Sequence, residues 1–201
     1  MVIAHLRHAT IGERSYANTQ PFLRALGGHA HVFAHNGDLP GLIHESDLAP
    51  RGFQPIGETD SEHAFCALLG RLAPCWHASH AVPSLECRLH EVAAFASALR
   101  RFGPANFLYA DGDVLFAHGD RRFNTASGLV EAPGIQSLSR WCRGGERGFV
   151  TSGLSIDGAD QTIALVASVP LTSDPWEPVA QGEVLAISMG RIVARRLTAS
   201  C

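Results

Sequence analysis

Gly57-Glu58-Thr59-Asp60-Ser61-Glu62 runs directly into His63-Ala64-Phe65-Cys66-Ala67-Leu68-Leu69-Gly70-Arg71-Leu72, and the join between these two stretches decides the fold. Ala64, Phe65, Leu68, Leu69 and Leu72 recur at helical spacing, which gives a helix with one face to bury. Thr59 or Asp60 is placed to cap it, and Glu62 falls in the first turn, where a carboxylate is favoured. A helix is therefore predicted to begin at Asp60. Upstream, His31 to His35 reads as a buried strand running into the turn residues Asn36-Gly37-Asp38, and the apolar run Val2 to Arg7 reads as another strand. Downstream, Leu85, Leu89, Val92, Phe95, Ala96 and Leu99 form one stripe of a second helix, Leu85 to Leu99.

Further along, Asn106 to Ala110 and Val114 to His118 flank Asp111-Gly112-Asp113, a strong hairpin signal. Ile163 to Val169, Glu183 to Ser188 and Ile192 to Leu197 read as further strands. Residues 124–158 are rich in Gly, Ser and charge and read as loop with some strand. Strands, then helices, then strands again give an α+β class, with helices stacked on mainly antiparallel sheets. No repeat or long linker divides the 201 residues, so a single domain, 1–201, is expected.

Composition narrows the function. A net charge of −3 and the absence of Lys/Arg runs supply no electrostatic footprint for nucleic acid. No window approaches the roughly 18 apolar residues of a membrane span, and the start lacks the basic and apolar regions of a signal peptide. No nucleic acid or membrane partner is expected, and a cytoplasmic address follows by default. Five cysteines, with no Cys-x-x-Cys pair, read as reduced thiols. His29, His31 and His35 cluster, but their spacing fits no zinc pattern, so no metal or other cofactor is expected.

Three short motifs carry chemistry. Arg7-His8-Ala9-Thr10 offers a planar cation suited to a carboxylate, with a hydroxyl three residues on. Asn36 can donate a side-chain amide and Gly37 a backbone N–H, the kind of donors an oxyanion needs. Asp60 offers a carboxylate to an ammonium group. Together they suit a zwitterionic amino acid reacting at a distal carbonyl. Taken singly each has a plainer reading: Asn-Gly as a turn, Asp60 as a helix cap, Arg7 as the partner of a structural carboxylate.

In this order the motifs resemble the later part of the glutaminase domain of class II glutamine amidotransferases, most closely its stand-alone members. Asn18-Thr19-Gln20-Pro21-Phe22 agrees as well; Asn106 to Gly112 and Val169-Pro170-Leu171-Thr172 match more loosely. The resemblance implies the two-sheet sandwich between helical layers of N-terminal nucleophile hydrolases. It also implies that Arg7 and Thr10 hold the glutamine carboxylate, that Asp60 and the Gly37 backbone hold the ammonium, and that Asn36 and Gly37 form the oxyanion hole.

In that family an N-terminal cysteine attacks the side-chain amide, and a γ-glutamyl thioester follows. Here residue 2 is Val2 and no internal cysteine matches the nucleophile. Two expectations follow: an upstream Met-Cys segment that completes a glutaminase, or a non-catalytic module that binds glutamine or a γ-glutamyl compound and regulates a partner. A separate synthase or acceptor-binding partner, or a homodimer, are the associations left open.

Overall fold

The computed structural model describes residues 1–6, 13–77, 81–143, 149–151, 154–156 and 160–198. Its elements run β1 (Phe22–Leu26), β2 (His29–Asn36), α1 (Asp60–His77), α2 (Leu85–Leu99), β3 (Asn106–Ala110), β4 (Leu115–Gly119), β5 (Arg122–Asn124), β6 (Leu129–Glu131), β7 (Gln136–Cys142), β8 (Phe149–Thr151), β9 (Leu154–Ile156), β10 (Gln161–Ala167), β11 (Glu177–Pro178), β12 (Glu183–Ser188) and β13 (Arg191–Leu197). Six of the strands form one antiparallel sheet in the order β1-β2-β3-β4-β12-β13, and a smaller antiparallel sheet has the order β10-β7-β11.

Alternation along the central strands explains the layering. Phe33, Phe107, Tyr109, Phe116, Val184 and Ala186 face α1 and α2 and join Phe65, Leu68, Leu72, Val92, Phe95 and Leu99 in the main core. The intervening residues Ala117, Leu185 and Ile187 point the other way and pack with Ile135, Val179, Ala164 and Val166 around the smaller sheet. The result is a helical layer on one face of a two-sheet sandwich, in agreement with the expected α+β class. Both helices start where the apolar stripes place them, and Ser84 caps α2 by accepting from the Cys87 N–H.

Two expectations are corrected. Residues 1–6 form no strand: Val2 is 91% and Leu6 100% exposed. An apolar run becomes a strand only where a neighbour satisfies its backbone, and among the described residues the outer edge of β1 finds none. The cysteines are also not all reduced, because Cys75, near the end of α1, is joined to Cys87, in the first turn of α2. The two helices pack against each other, and the short connection between them returns one end to the other, a proximity that residue spacing alone did not reveal. Cys66 and Cys142 are free and buried. Residues 124–158 hold more strand than expected, including the central strand of the smaller sheet, β7, whose Gln, Ser and Arg content hides it.

Candidate functional site

The stretch Gly57 to Glu62 is a fastened loop that delivers Asp60 to one end of the large sheet. Glu62, almost wholly buried, accepts from the backbone N–H groups of Ile56 (3.0 Å) and Gly57 (2.6 Å) and pairs with Arg24 of β1. Asn18 Oδ1 accepts from the Glu58 N–H at 2.8 Å, and a Cβ on residue 57 would stand 2.2 Å from that same oxygen. Gly57 is therefore a residue of close approach. Thr59 Oγ1 accepts from the Glu62 N–H at 3.2 Å, which makes Thr59 the cap and leaves the Asp60 carboxylate for other work.

That carboxylate faces the end of β2. Its Oδ2 accepts from the Leu39 N–H at 2.7 Å, and its Oδ1 accepts from the Ser61 N–H at 2.7 Å. Asp60 is thus tied to the turn carrying Asn36 and Gly37. Gly37 has φ 151, and a Cβ there would lie 1.7 Å from the Pro104 carbonyl oxygen, so the backbone just before β3 packs directly on it. Asn36 is exposed, with its Nδ2 donating to Ser168 Oγ at 3.3 Å. Behind it, buried Asn106 donates from Nδ2 to the carbonyls of Asn36 (3.3 Å) and Arg121 (2.7 Å) and accepts at Oδ1 from the Asp120 N–H (2.7 Å). One amide therefore fixes the ends of β2 and β4 against each other.

His35 backs the same turn. Its backbone N–H donates to Gln20 Oε1 at 2.5 Å, and its Nδ1 lies 3.0 Å from Ser61 Oγ. Burial holds this imidazole below the ordinary histidine value, against the opposing pull of Asp60. The ring is in its neutral form at neutral pH and serves as a packed support for Gly37.

Around these groups opens a cleft of about 480 Å³ whose lining includes Asn36, Gly37, Asp38, Asp60, Arg121, Arg122, Phe123 and Val130. The structure thus brings together Asn36, Gly37 and Asp60, three of the five residues expected at the site. The other two, Arg7 and Thr10, lie outside the described residues. Arg121 and Arg122 were not anticipated: they follow the hairpin of β3 and β4 as an adjacent basic pair, and only the return of β4 to the end of β2 puts them on the cleft. No described cysteine lines it. Cys66 is buried, with its thiol pushed up to about 11 by that burial, and Cys142 is buried in β7. Among the described residues no group of three or more His, Cys, Asp or Glu side chains is placed to hold a metal ion. Two of the clustered histidines have other partners, with His31 Nδ1 2.7 Å from the Tyr109 hydroxyl and His35 against Ser61.

Comparison with known proteins identifies the family. Residues 1–201 match the family described as glutamine amidotransferases class-II. The chain is 30% identical over 201 residues to an uncharacterized protein of Methanocaldococcus jannaschii, covering 98% of this chain and 53% of that one. It is also 30% identical to YafJ of Escherichia coli, which carries the glutamine amidotransferase name, over 96% of this chain and 71% of that one. The chain spans about half the length of the first of these relatives. A crystal structure of a predicted glutamine amidotransferase from Pseudomonas aeruginosa PA01 superposes with a TM-score of 0.66 at 29% identity, covering 89% of this chain and 66% of that one. The glutamine phosphoribosylpyrophosphate amidotransferase of B. subtilis, at 19% identity and a TM-score of 0.52 over 92% of this chain and 32% of that one, shares the fold.

Proposed function

The chain belongs to the class II glutamine amidotransferases, and from that membership we propose that its cleft holds the γ-glutamyl group of glutamine or a γ-glutamyl compound for cleavage of the side-chain amide. The observation that carries this reading is the convergence of Asn36, Gly37 and Asp60 on one cleft, with Asp60 bonded to the Leu39 N–H only two residues past Gly37. Asp60 takes the α-ammonium. Arg7 and Thr10 are assigned the α-carboxylate by family resemblance.

In the reaction a thiolate adds to the side-chain carbonyl carbon, and charge collects on its oxygen. Asn36 Nδ2 and the Gly37 N–H donate to that oxyanion, each donor being worth about 10²–10³ in turnover. The C–N bond then breaks, the amine leaves with a proton, and water hydrolyses the γ-glutamyl thioester. A separate synthase that uses released ammonia is the partner this scheme implies. Among the described residues none of Cys66, Cys75, Cys87 and Cys142 stands at the cleft to supply the thiolate. The alternative reading is a module that binds a γ-glutamyl ligand and regulates a partner without turnover.

Ammonia release from L-glutamine, measured beside ligand binding, separates the two. Release that falls at least about 100-fold in Asn36→Ala supports the amidase reading. Saturable binding without release supports the binding module. Neither binding nor release overturns both.

A further inference from the structure

We propose that the stretch Asn18 to Gln20 is a brace that sets the separation between the Asp60 carboxylate and the Asn36–Gly37 turn. Asn18 and Gln20 are then positioning residues, through which the cleft selects glutamine over its shorter homologue asparagine. The inference rests on the assignment of Asp60 to the ammonium and of Asn36 and Gly37 to the side-chain carbonyl, and it names what in the fold measures the distance between them.

Each end of the brace is a side-chain oxygen holding a backbone N–H beside one half of the site. At one end Asn18 Oδ1 accepts from the Glu58 N–H at 2.8 Å, two residues ahead of Asp60. The same loop presses on the brace at Gly57, where a Cβ would stand 2.2 Å from Asn18 Oδ1 and 2.8 Å from the Ala17 carbonyl oxygen. At the other end Gln20 Oε1 accepts from the His35 N–H at 2.5 Å, one residue ahead of Asn36. Strand β1 begins only at Phe22, opposite Phe33, and continuing that register by two residues sets Gln20 against His35. The Gln20 side chain thus supplies an acceptor to a backbone donor that lies past the end of β1, on a residue only 2% exposed.

A brace transmits position only if it is stiff, and this one is closed on itself. Asn18 Nδ2 donates to the Glu13 carbonyl at 3.0 Å, so both ends of its amide are engaged and its orientation is fixed. The Asn18 N–H donates to the Ser15 carbonyl (3.3 Å), the Thr19 N–H to the Tyr16 carbonyl (3.0 Å) and the Thr19 hydroxyl to the Ser15 carbonyl (2.8 Å). Asn18 is buried, and Gln20 is part of the cleft lining itself. The direct bond from the Leu39 N–H orients the Asp60 carboxylate, whereas the brace acts on the backbone ahead of Asp60 and ahead of Asn36.

The chemistry of the ligand turns that spacing into a selector. Glutamine and asparagine carry the same ammonium, carboxylate and terminal amide, and differ by one methylene between the two ends. Anchors held rigidly at the separation of the longer molecule cannot meet both ends of the shorter one, a difference worth about tenfold or more. Anchors free to approach each other lose that discrimination.

Calorimetric titration of L-glutamine and L-asparagine into the 201-residue chain and its variants tests this. The parent is expected to prefer glutamine by about tenfold or more. Gln20→Met and Asn18→Leu remove the acceptors at similar side-chain volume, and each should reduce that preference at least about threefold, chiefly by weakening glutamine. Gln20→Glu keeps an oxygen for the His35 N–H and should hold the preference of the parent. Circular dichroism checks folding, and because Gln20 is only partly buried, its variants report even where Asn18→Leu fails to fold. Equal affinity of the parent for the two amino acids overturns the brace. So does an unchanged preference in folded Gln20→Met, an equal weakening of both amino acids there, or a Gln20→Glu variant that behaves like Gln20→Met. If the parent prefers glutamine and loses it in Asp60→Asn while the brace variants keep it, the site assignment stands and the brace falls. If the parent binds neither amino acid, both fall.

Discussion

Gly37 and Pro104 meet backbone to backbone: a Cβ on residue 37 would stand 1.7 Å from the Pro104 carbonyl oxygen and 3.1 Å from His35 Nε2. The turn that presents the proposed oxyanion donors is therefore built against the chain entering β3, in a conformation, φ 151, that side-chain-bearing residues rarely adopt. Gly37→Ala should lower stability by about 3 kcal/mol, from overpacking and backbone strain together. Urea unfolding checks this, and an unchanged midpoint would contradict the packing described.

Asn106 is the corresponding pin between β2 and β4. Its three hydrogen bonds are to backbone groups, and Gly134 passes so close that a Cβ there would stand 1.8 Å from Asn106 Oδ1. Asn106→Ala strands a buried Asp120 N–H and should cost about 2 kcal/mol. It should also weaken γ-glutamyl binding, since Asn36 loses its anchor. Denaturation and titration of the same preparation measure both effects, and full affinity at reduced stability would separate the pin from the site.

Stability should fall on mild acidification because of buried histidine. His118 is packed beside Phe107, donates from Nδ1 to the Ala105 carbonyl at 2.6 Å, and has its pKa brought down from 6.5 to about 4 by burial. Between these values the unfolded chain binds the extra proton. Stability is therefore fully present above about 6.5 and is lost as pH falls toward 4, by about 3 kcal/mol from this residue. Burial shifts His31, His35 and His63 in the same direction. Urea midpoints at pH 7 and pH 4.5 should drop more steeply for the parent than for His118→Phe; parallel slopes would show that His118 is not the group responsible.

The Cys75–Cys87 bond closes a short loop between α1 and α2, with 12 residues of sequence separation. In the chain-entropy picture its removal costs about 3 kcal/mol. A melt with and without reductant should show a lower transition in the reduced protein. Intact mass after alkylation under denaturing conditions should differ by two labels between the untreated and reduced samples; equal labelling would show that these thiols are free.

What could be read from the sequence followed from local periodicity and local chemistry. The stripe from Ala64 to Leu72 and that from Leu85 to Leu99 fixed both helices, because burying one helical face is a requirement the chain cannot hide. Asp111-Gly112-Asp113 marked its hairpin, since few residues tolerate the turn Gly112 makes. Asn36, Gly37 and Asp60 were visible as a set, and the fold brings them together. The features missed depend on distant segments meeting. Val2 to Leu6 is apolar but forms no strand, Cys75 and Cys87 meet only because two helices pack against each other, and the backbone at Arg121 is tied to the end of β2 through the side chain of Asn106. Glu62 looked like a helix-terminus carboxylate, whereas its carboxylate secures the Ile56–Gly57 backbone and Arg24.

The central claim is that Asp60 and the Asn36–Gly37 turn form one site for a γ-glutamyl amino acid, and it is tested most directly by calorimetric titration of L-glutamine into the parent chain and into Asp60→Asn. The account predicts saturable one-site binding to the parent and an affinity at least about tenfold weaker in the variant, since the neutral amide removes the carboxylate that faces the ammonium. Equal affinity of the two proteins for glutamine, or no saturable binding to the parent, would contradict it.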